Sequence, residues 1–344
     1  MFVGGIKLSY RVGSLFAGIG GTCLGFEQAG AKIVWANEMD KNACNTYRNY
    51  FGDSYLKEGD VTLIDKSSIP SLDILIGGFP CQAFSIAGYR KGFEDDRGNV
   101  FFQILEVIEA QKEKPQAIML ENVKNLLTHD KGNTFKVIQE ALEEFGYTIK
   151  KEVLNSMEYG NVPQNRERIY IVGFLDPEKT AKFKFPKKVP LTNELNSVVD
   201  RINKLDEKYY YDESSQYYEM LKEGMTSTDT TYQLRRIYVR ENKSNVSPTL
   251  TANMGTGGHN VPLILDYESN IRKLTPEECL KLQGFPDDYK FPEDMANGHR
   301  YKQAGNSVTV PVIKRIATNI IKVLDGEDLQ QEETSDLQSE VLVN

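Results

Sequence analysis

The chain has 344 residues, enough for two domains or for one domain with a large insertion. Its 40% apolar and 26% charged content is that of a soluble protein with a sizeable core, and no apolar run approaches the roughly 20 residues of a membrane span. The net charge of −8 argues against a uniformly basic nucleic-acid binder; seven acids and no Lys or Arg fall in 325–344, however, and the remaining body, at −1, can still carry a basic cleft.

Four cysteines (Cys23, Cys44, Cys81, Cys279) form no C-x-x-C pair, and His129, His259 and His299 lie far from them in sequence. Neither a zinc site nor a disulfide framework is expected, and no metal is assigned. Scattered cysteines fit a reducing compartment. The opening MFVGGIKLSYRV lacks a signal peptide's apolar core. The expected location is the cytoplasm.

Val12–Phe16 reads as a strand, Ala17-Gly18-Ile19-Gly20-Gly21 as a tight turn, and Thr22–Ala29 as a helix. That succession suggests a nucleotide-type ligand at a helix N-terminus, although a plain βα turn has the same pattern. Lys32–Asn37 is a second strand ending at Glu38, placed as an acid that holds ribose hydroxyls. A helix over Lys41–Phe51 leads to Gly59-Asp60-Val61. Ile74-Leu75-Ile76 then reads as a buried parallel strand, broken by Gly77-Gly78-Phe79-Pro80-Cys81-Gln82. A cysteine on the turn past a strand's carboxyl end stands where catalytic groups collect in open α/β sheets; a buried inert thiol is the plainer alternative.

The stretch from Gln82 to Asn99 is polar, with Gly88, Gly92 and Gly98 able to hinge a lid. Val100–Gln111 is an amphipathic helix, and Ala117–Leu120 is a strand with Glu121-Asn122-Val123 at its end. After four apolar residues Glu121 is poorly solvated, so its pKa is expected to rise. Thr134–Phe145 is a helix, and a strand follows near Ile149–Asn155. Arg166 and Arg168, two apart before the strand Ile169–Gly173, share one face and suit phosphate or the acceptor edge of a base. Beyond Asp176 the periodicity weakens. Basic runs at Lys179–Lys188 and Arg235–Arg240, and the Gly-rich Thr249–Gly258, suggest a β and loop region that touches a polymer. Thr275 and Pro276 start a helix that Gly284 ends, and Gly305-Asn306-Ser307-Val308 precedes a last helix, Val310–Leu324.

In this order F-A-G-I-G-G, G-G-F-P-C-Q, E-N-V, Q-N-R-E-R, R-K-L-T-P-E-E-C-x-x-L-Q-G-F-P and G-N-S-V resemble the DNA cytosine-5 methyltransferases of bacterial restriction-modification type, over about residues 12–324. The resemblance implies an α/β fold. A Rossmann-like S-adenosylmethionine-dependent methyltransferase domain (1–176 plus 302–325) would carry a smaller, mostly β and loop target-recognition domain (177–301), and 326–344 would be an acidic disordered tail. S-adenosylmethionine would lie against Phe16, Ala17, Gly18, Gly20, Gly21, Glu38, Met39, Asp60, Val61, Pro80, Val100, Asn306 and Val308. Cys81, flanked by Pro80 and Gln82, would add to carbon 6 of a flipped-out cytosine. Glu121 would contact ring nitrogen 3, Arg166 the base carbonyl, and Arg168 would support the site. Double-stranded DNA would meet Ser85, Arg97, Arg235, Arg236, Arg240, Thr249, Leu250, Gly257 and Gly258. A monomer is expected, with a cognate restriction endonuclease acting on the same site without direct contact. Two alternatives stay open: an RNA (tRNA) methyltransferase on the same scaffold, and a catalytically inactive DNA-binding regulator.

Overall fold

The computed structural model describes residues 9–79, 100–256 and 260–330, together with the backbone of Phe2–Val3 and Ile6–Lys7, which form a small antiparallel hairpin (β1 and β2). The centre of the molecule is a seven-stranded sheet. Its strands are β3 (Arg11–Leu15), β4 (Lys32–Glu38), β5 (Leu56–Glu58), β6 (Ile74–Gly78), β7 (Ala117–Val123), β8 (Thr148–Asn155) and β9 (Glu167–Phe174), in the order β5-β4-β3-β6-β7-β9-β8. The first five are parallel to one another, and β9 pairs antiparallel with both β7 and β8.

Residue chemistry explains the layering. Along the central strands alternate side chains go to opposite faces, as a pleat demands. Ile74, Ile76, Ala117, Met119, Tyr170 and Val172 pack on one side with the helices Gly21–Gln28 and Val310–Leu324. Leu75, Ile118, Leu120, Ile169 and Ile171 pack on the other with Val100–Ala110 and Asn133–Glu144. Both faces are covered, which is why these strands read as near-continuous apolar runs.

The chain winds from β3 through β4 to β5, then returns to β6 on the other flank of β3. That reversal opens a crevice at the carboxyl ends of β3 and β6, the usual ligand position in open α/β sheets.

A second, antiparallel sheet joins β10 (Tyr232–Leu234), β11 (Val239–Glu241), β12 (Leu263–Leu265) and β13 (Ile271–Lys273), in the order β11-β10-β12-β13. The expected helix at Pro276 is present. Thr275 caps Pro276–Leu282, and its hydroxyl accepts from the Glu278 backbone N–H while the Glu278 carboxylate accepts from the Thr275 N–H. Among the helices not expected, Asn297–Asn306 ends in Gly305-Asn306 and crosses the anticipated 301/302 boundary. Its polar, Gly-containing sequence lacks an apolar stripe, and it is held instead by Tyr301 and Ala304 in a core shared with Ile19, Leu24 and Ala43.

Candidate functional site

At the crevice a cavity of about 370 Å³ is lined by the β3 turn, the ends of β4, β6 and β7, and the segment 302–308. The turn has an unusual backbone. Phe16 holds φ +54°, left-handed for a bulky residue, and Gly18 and Gly20 hold +57° and +83°. Only glycine takes that region without cost. A Cβ on Gly18 would meet nothing within 4 Å. Glu38 closes the turn from below: its carboxylate accepts from the backbone N–H groups of Gly18, Met39 and Asp40 at 2.8, 2.9 and 2.8 Å. Of the residues expected around the cofactor, Phe16, Ala17, Gly18, Gly21, Glu38 and Val308 line this cavity, with Asn306.

Gly20 supports the turn from behind, where a Cβ would strike the Phe51 ring at 2.3 Å. Met39, Asp60, Val61 and Val100 stand outside this lining. Met39 is 67% exposed, Val61 sits in the core, and the Asp60 carboxylate is turned to the Thr62 N–H. Asp40 and Lys302, which the sequence reading passed over, line the cavity as an ion pair at 2.9 Å.

Glu121 lies inside β7, opposite Gly78 of β6 and Tyr170 of β9. Burial pushes its pKa up, while Arg168 and then Arg166 pull it down; the net direction is upward. Arg168 Nε stands 3.1 Å from Glu121 Oε1. Arg166 does not make that pair. It is 2% exposed, and its two Nη atoms donate to the carbonyls of Leu250, Gly305 and Ser307. Arg166 is spent on backbone carbonyls, and the guanidinium that meets the carboxylate is that of Arg168. Spacing put both arginines on one face, but the carbonyls of Leu250, Gly305 and Ser307 take up Arg166 and leave Arg168 to Glu121.

Asn122 was also overlooked. Its Nδ2 donates to the Phe79 carbonyl at 2.8 Å, which anchors β6 immediately before Pro80. Pro80, Cys81, Gln82, Ser85, Arg97, Gly257 and Gly258 lie outside the described residues. Cys23, Cys44 and Cys279 are buried. Burial raises their thiol pKa values to about 11, to about 12 and well above the ordinary value, respectively. All three are inert thiols.

A second cavity, an open cleft of about 860 Å³, adjoins the first and shares Val123 and Arg168 with it. Lys124, Arg168, Arg235, Arg240 and Lys243 line it, against one acid, Glu167. Thr249 lines it too, and its hydroxyl donates to the Asn165 carbonyl at 2.7 Å. Arg236 is exposed outside this lining. The Leu250 side chain, expected at the DNA, is 0% exposed in the core, so its part is structural.

The described residues hold no helix long and apolar enough to cross a membrane. Residues 10–322 match the model of the C-5 cytosine-specific DNA methylases. The chain is 57% identical over 315 residues to the type II methyltransferase M.Bsp6I of Bacillus sp. (strain RFL6), covering 91% of this chain and 98% of that one. It is 43% identical over 324 residues to M.SsoII of Shigella sonnei, covering 92% and 81%. It is 38% identical over 322 residues to M.HhaI of Haemophilus parahaemolyticus, covering 89% and 92%. Among solved structures, a mutant of Spodoptera frugiperda DNMT2 superposes with a TM-score of 0.69 at 20% identity, covering 91% of this chain and all of that one, which shows the shared fold. A glycine turn above an acid, a buried glutamate paired to arginine, a basic cleft and a family match across nearly the whole length lead to one conclusion: this chain belongs to the C-5 cytosine-specific DNA methylases.

Proposed function

We propose that this protein is the modification enzyme of a type II restriction-modification system. It methylates carbon 5 of one cytosine in a short duplex sequence, with S-adenosylmethionine as donor and Cys81 as nucleophile. The observation that carries this reading is the position of the Glu121–Arg168 pair, where the crevice cavity meets the basic cleft. A base entering from the cleft meets a carboxyl that can hold a proton and a guanidinium beside it.

The residues at the crevice fit S-adenosylmethionine. The cavity falls within the size range of small-molecule sites. The turn at Gly18 leaves open space for a ligand against the backbone, and Glu38 stands at the strand end where a ribose is held. When bound there, S-adenosylmethionine supplies an electrophilic methyl group. Phe16, Ala17, Gly18, Gly21, Glu38, Asn306 and Val308 are the residues to hold it.

The target cytosine must leave the duplex, at a cost of a few kcal/mol. Carbon 5 of cytosine is a weak nucleophile, and addition of the Cys81 thiolate to carbon 6 makes it an enamine-like one. A free thiol titrates near 8.5, so forming the thiolate at pH 7 costs about 2 kcal/mol before the site helps. Glu121, whose pKa burial raises, is placed to share a proton with ring nitrogen 3 as negative charge builds on the ring. Arg168 orients that carboxyl and faces the base carbonyl; Arg166 holds the walls of the site. After transfer a base, for which a water can serve, takes the carbon-5 proton, the carbon 5–carbon 6 double bond re-forms, and Cys81 leaves as the thiolate. Double-stranded DNA is the partner, the enzyme works as a cytoplasmic monomer, and the cognate endonuclease acts on the same sequence without touching it.

Bisulfite sequencing of a plasmid incubated with the protein and S-adenosylmethionine tests this. Methylated cytosine at one short motif is expected, with none for Cys81→Ala although that variant still binds the cofactor. Absence of methylated cytosine with the wild-type chain refutes the reading, and transfer into tRNA instead would establish the RNA alternative.

A further inference from the structure

We infer that Arg166 is a positioning residue that couples the DNA cleft to the cofactor cavity, so that occupancy of one changes affinity at the other. This rests on the assignment of the two cavities above and adds a dependence between them.

Arg166 Nη1 donates to the Leu250 carbonyl at 2.7 Å, and Nη2 donates to the carbonyls of Gly305 and Ser307 at 3.3 and 2.5 Å. Leu250 lies between Thr249 and Thr251, both of which line the cleft. Gly305 and Ser307 line the cofactor cavity. One planar, rigid fork therefore holds a backbone segment from each cavity, and it cannot follow one without disturbing the other.

A ring of buried polar groups repeats the connection. Gln164 accepts from the Leu250 N–H at 3.1 Å, and its Nε2 donates to the Leu282 carbonyl at 2.7 Å and to Gln283 Oε1 at 3.2 Å. Gln283 Nε2 donates to the Ala304 carbonyl at 2.9 Å, and its Oε1 accepts from Thr309 Oγ1 at 3.2 Å. Thr309 Oγ1 lies 2.6 Å from Ser156 Oγ, and the Ser156 N–H donates to the Arg166 carbonyl at 2.9 Å. Gln164, Gln283, Thr309 and Ser156 are all nearly or fully buried. In a medium of low dielectric such directional bonds favour one arrangement over neighbouring ones, as an apolar seam would not.

The backbones also touch with nothing compliant between them. A Cβ on Gly305 would lie 2.1 Å from the Thr251 carbonyl. A shift of 249–251 as DNA enters is passed directly to the wall at 305–308.

The test is calorimetric titration of the full chain with S-adenosylhomocysteine, with and without a duplex carrying the motif found by bisulfite mapping. In the wild type the duplex is expected to change the affinity by a factor in the range of about 5 to 150 usual for coupled sites. Arg166→Lys keeps the charge but cannot reach three carbonyls, and is expected to bring the factor below about 2, whatever its effect on affinity without DNA. Thr309→Val removes one hydroxyl of the ring at nearly constant volume, is expected to reduce the factor in the same direction, and carries the test should Arg166→Lys fail to fold. A wild-type factor of one overturns the proposal. So does an unchanged factor in the folded variants, including the case where both affinities fall in parallel, as a merely structural residue requires. A chain that methylates DNA without coupling refutes this inference alone; a chain that methylates nothing refutes the functional reading and this inference with it.

Discussion

Burial lifts the Glu121 pKa although Arg168 and Arg166 oppose it, so the proton stays on this carboxyl to higher pH than on a free glutamate. Two outcomes follow from that sign. The methyl-transfer rate in single turnovers should fall on the alkaline side as Glu121 loses its proton, and Glu121→Gln should lower the rate by roughly 100- to 10,000-fold, the usual worth of a positioned acid. An unchanged rate would remove Glu121 from the chemistry. The stability sign is the reverse of an ordinary salt-bridged acid. A free glutamate titrates near pH 4.3. With a raised folded-state value, the site's contribution to stability is full below that pH and is lost as pH rises through the raised pKa. Glu121→Gln should therefore gain on the wild type between pH 4 and pH 8 in urea unfolding. The upward shift was legible in four apolar residues followed by a glutamate. The identity of its partner was not, because Arg166 and Arg168 are equivalent in spacing and differ only in the backbone carbonyls that take up Arg166.

Elements obeyed local rules where those rules are strong. Thr275-Pro276 with Glu278 makes a capping box, and Lys41–Phe51 is a helix with Asp40 accepting from the N–H groups of Asn42 and Ala43 at its start. Thr275→Ala should cost about 1 kcal/mol in denaturant unfolding, the usual worth of a cap; no loss would show that tertiary packing alone holds that helix. Val310–Leu324 buries Val312, Ile313, Ile316, Ala317 and Ile320 against the first helix and sheet. Ile316→Ala should cost about 2–5 kcal/mol by the same measurement. A smaller loss would mean that the returning helix is a loosely attached appendage. The helix Asn297–Asn306 was invisible beforehand for a reason of the same kind: its buried face is made by neighbours from Thr46 to Tyr209 rather than by its own periodicity.

Over the whole molecule, the net charge and the charge of the cleft have opposite signs. The chain carries −8, yet the cleft presents five basic side chains against one acid. Lys or Arg contacts to phosphate make DNA affinity fall linearly with log salt, at about 0.9 per contact. Arg240→Ala and Lys243→Ala should each lower that slope by about 1 without changing which sequence is methylated. A changed motif would make either one a base reader instead.

Order along the chain was enough for the α/β architecture, the glycine turn with its acid and the family, because each depends on residues adjacent in sequence or on a period that a strand or helix imposes. Which arginine is taken up by backbone carbonyls and which is left to Glu121 depends on contacts between segments 84 and 139 residues apart. No local pattern encodes such contacts. Satisfying buried polar groups when the chain closes on itself selects them.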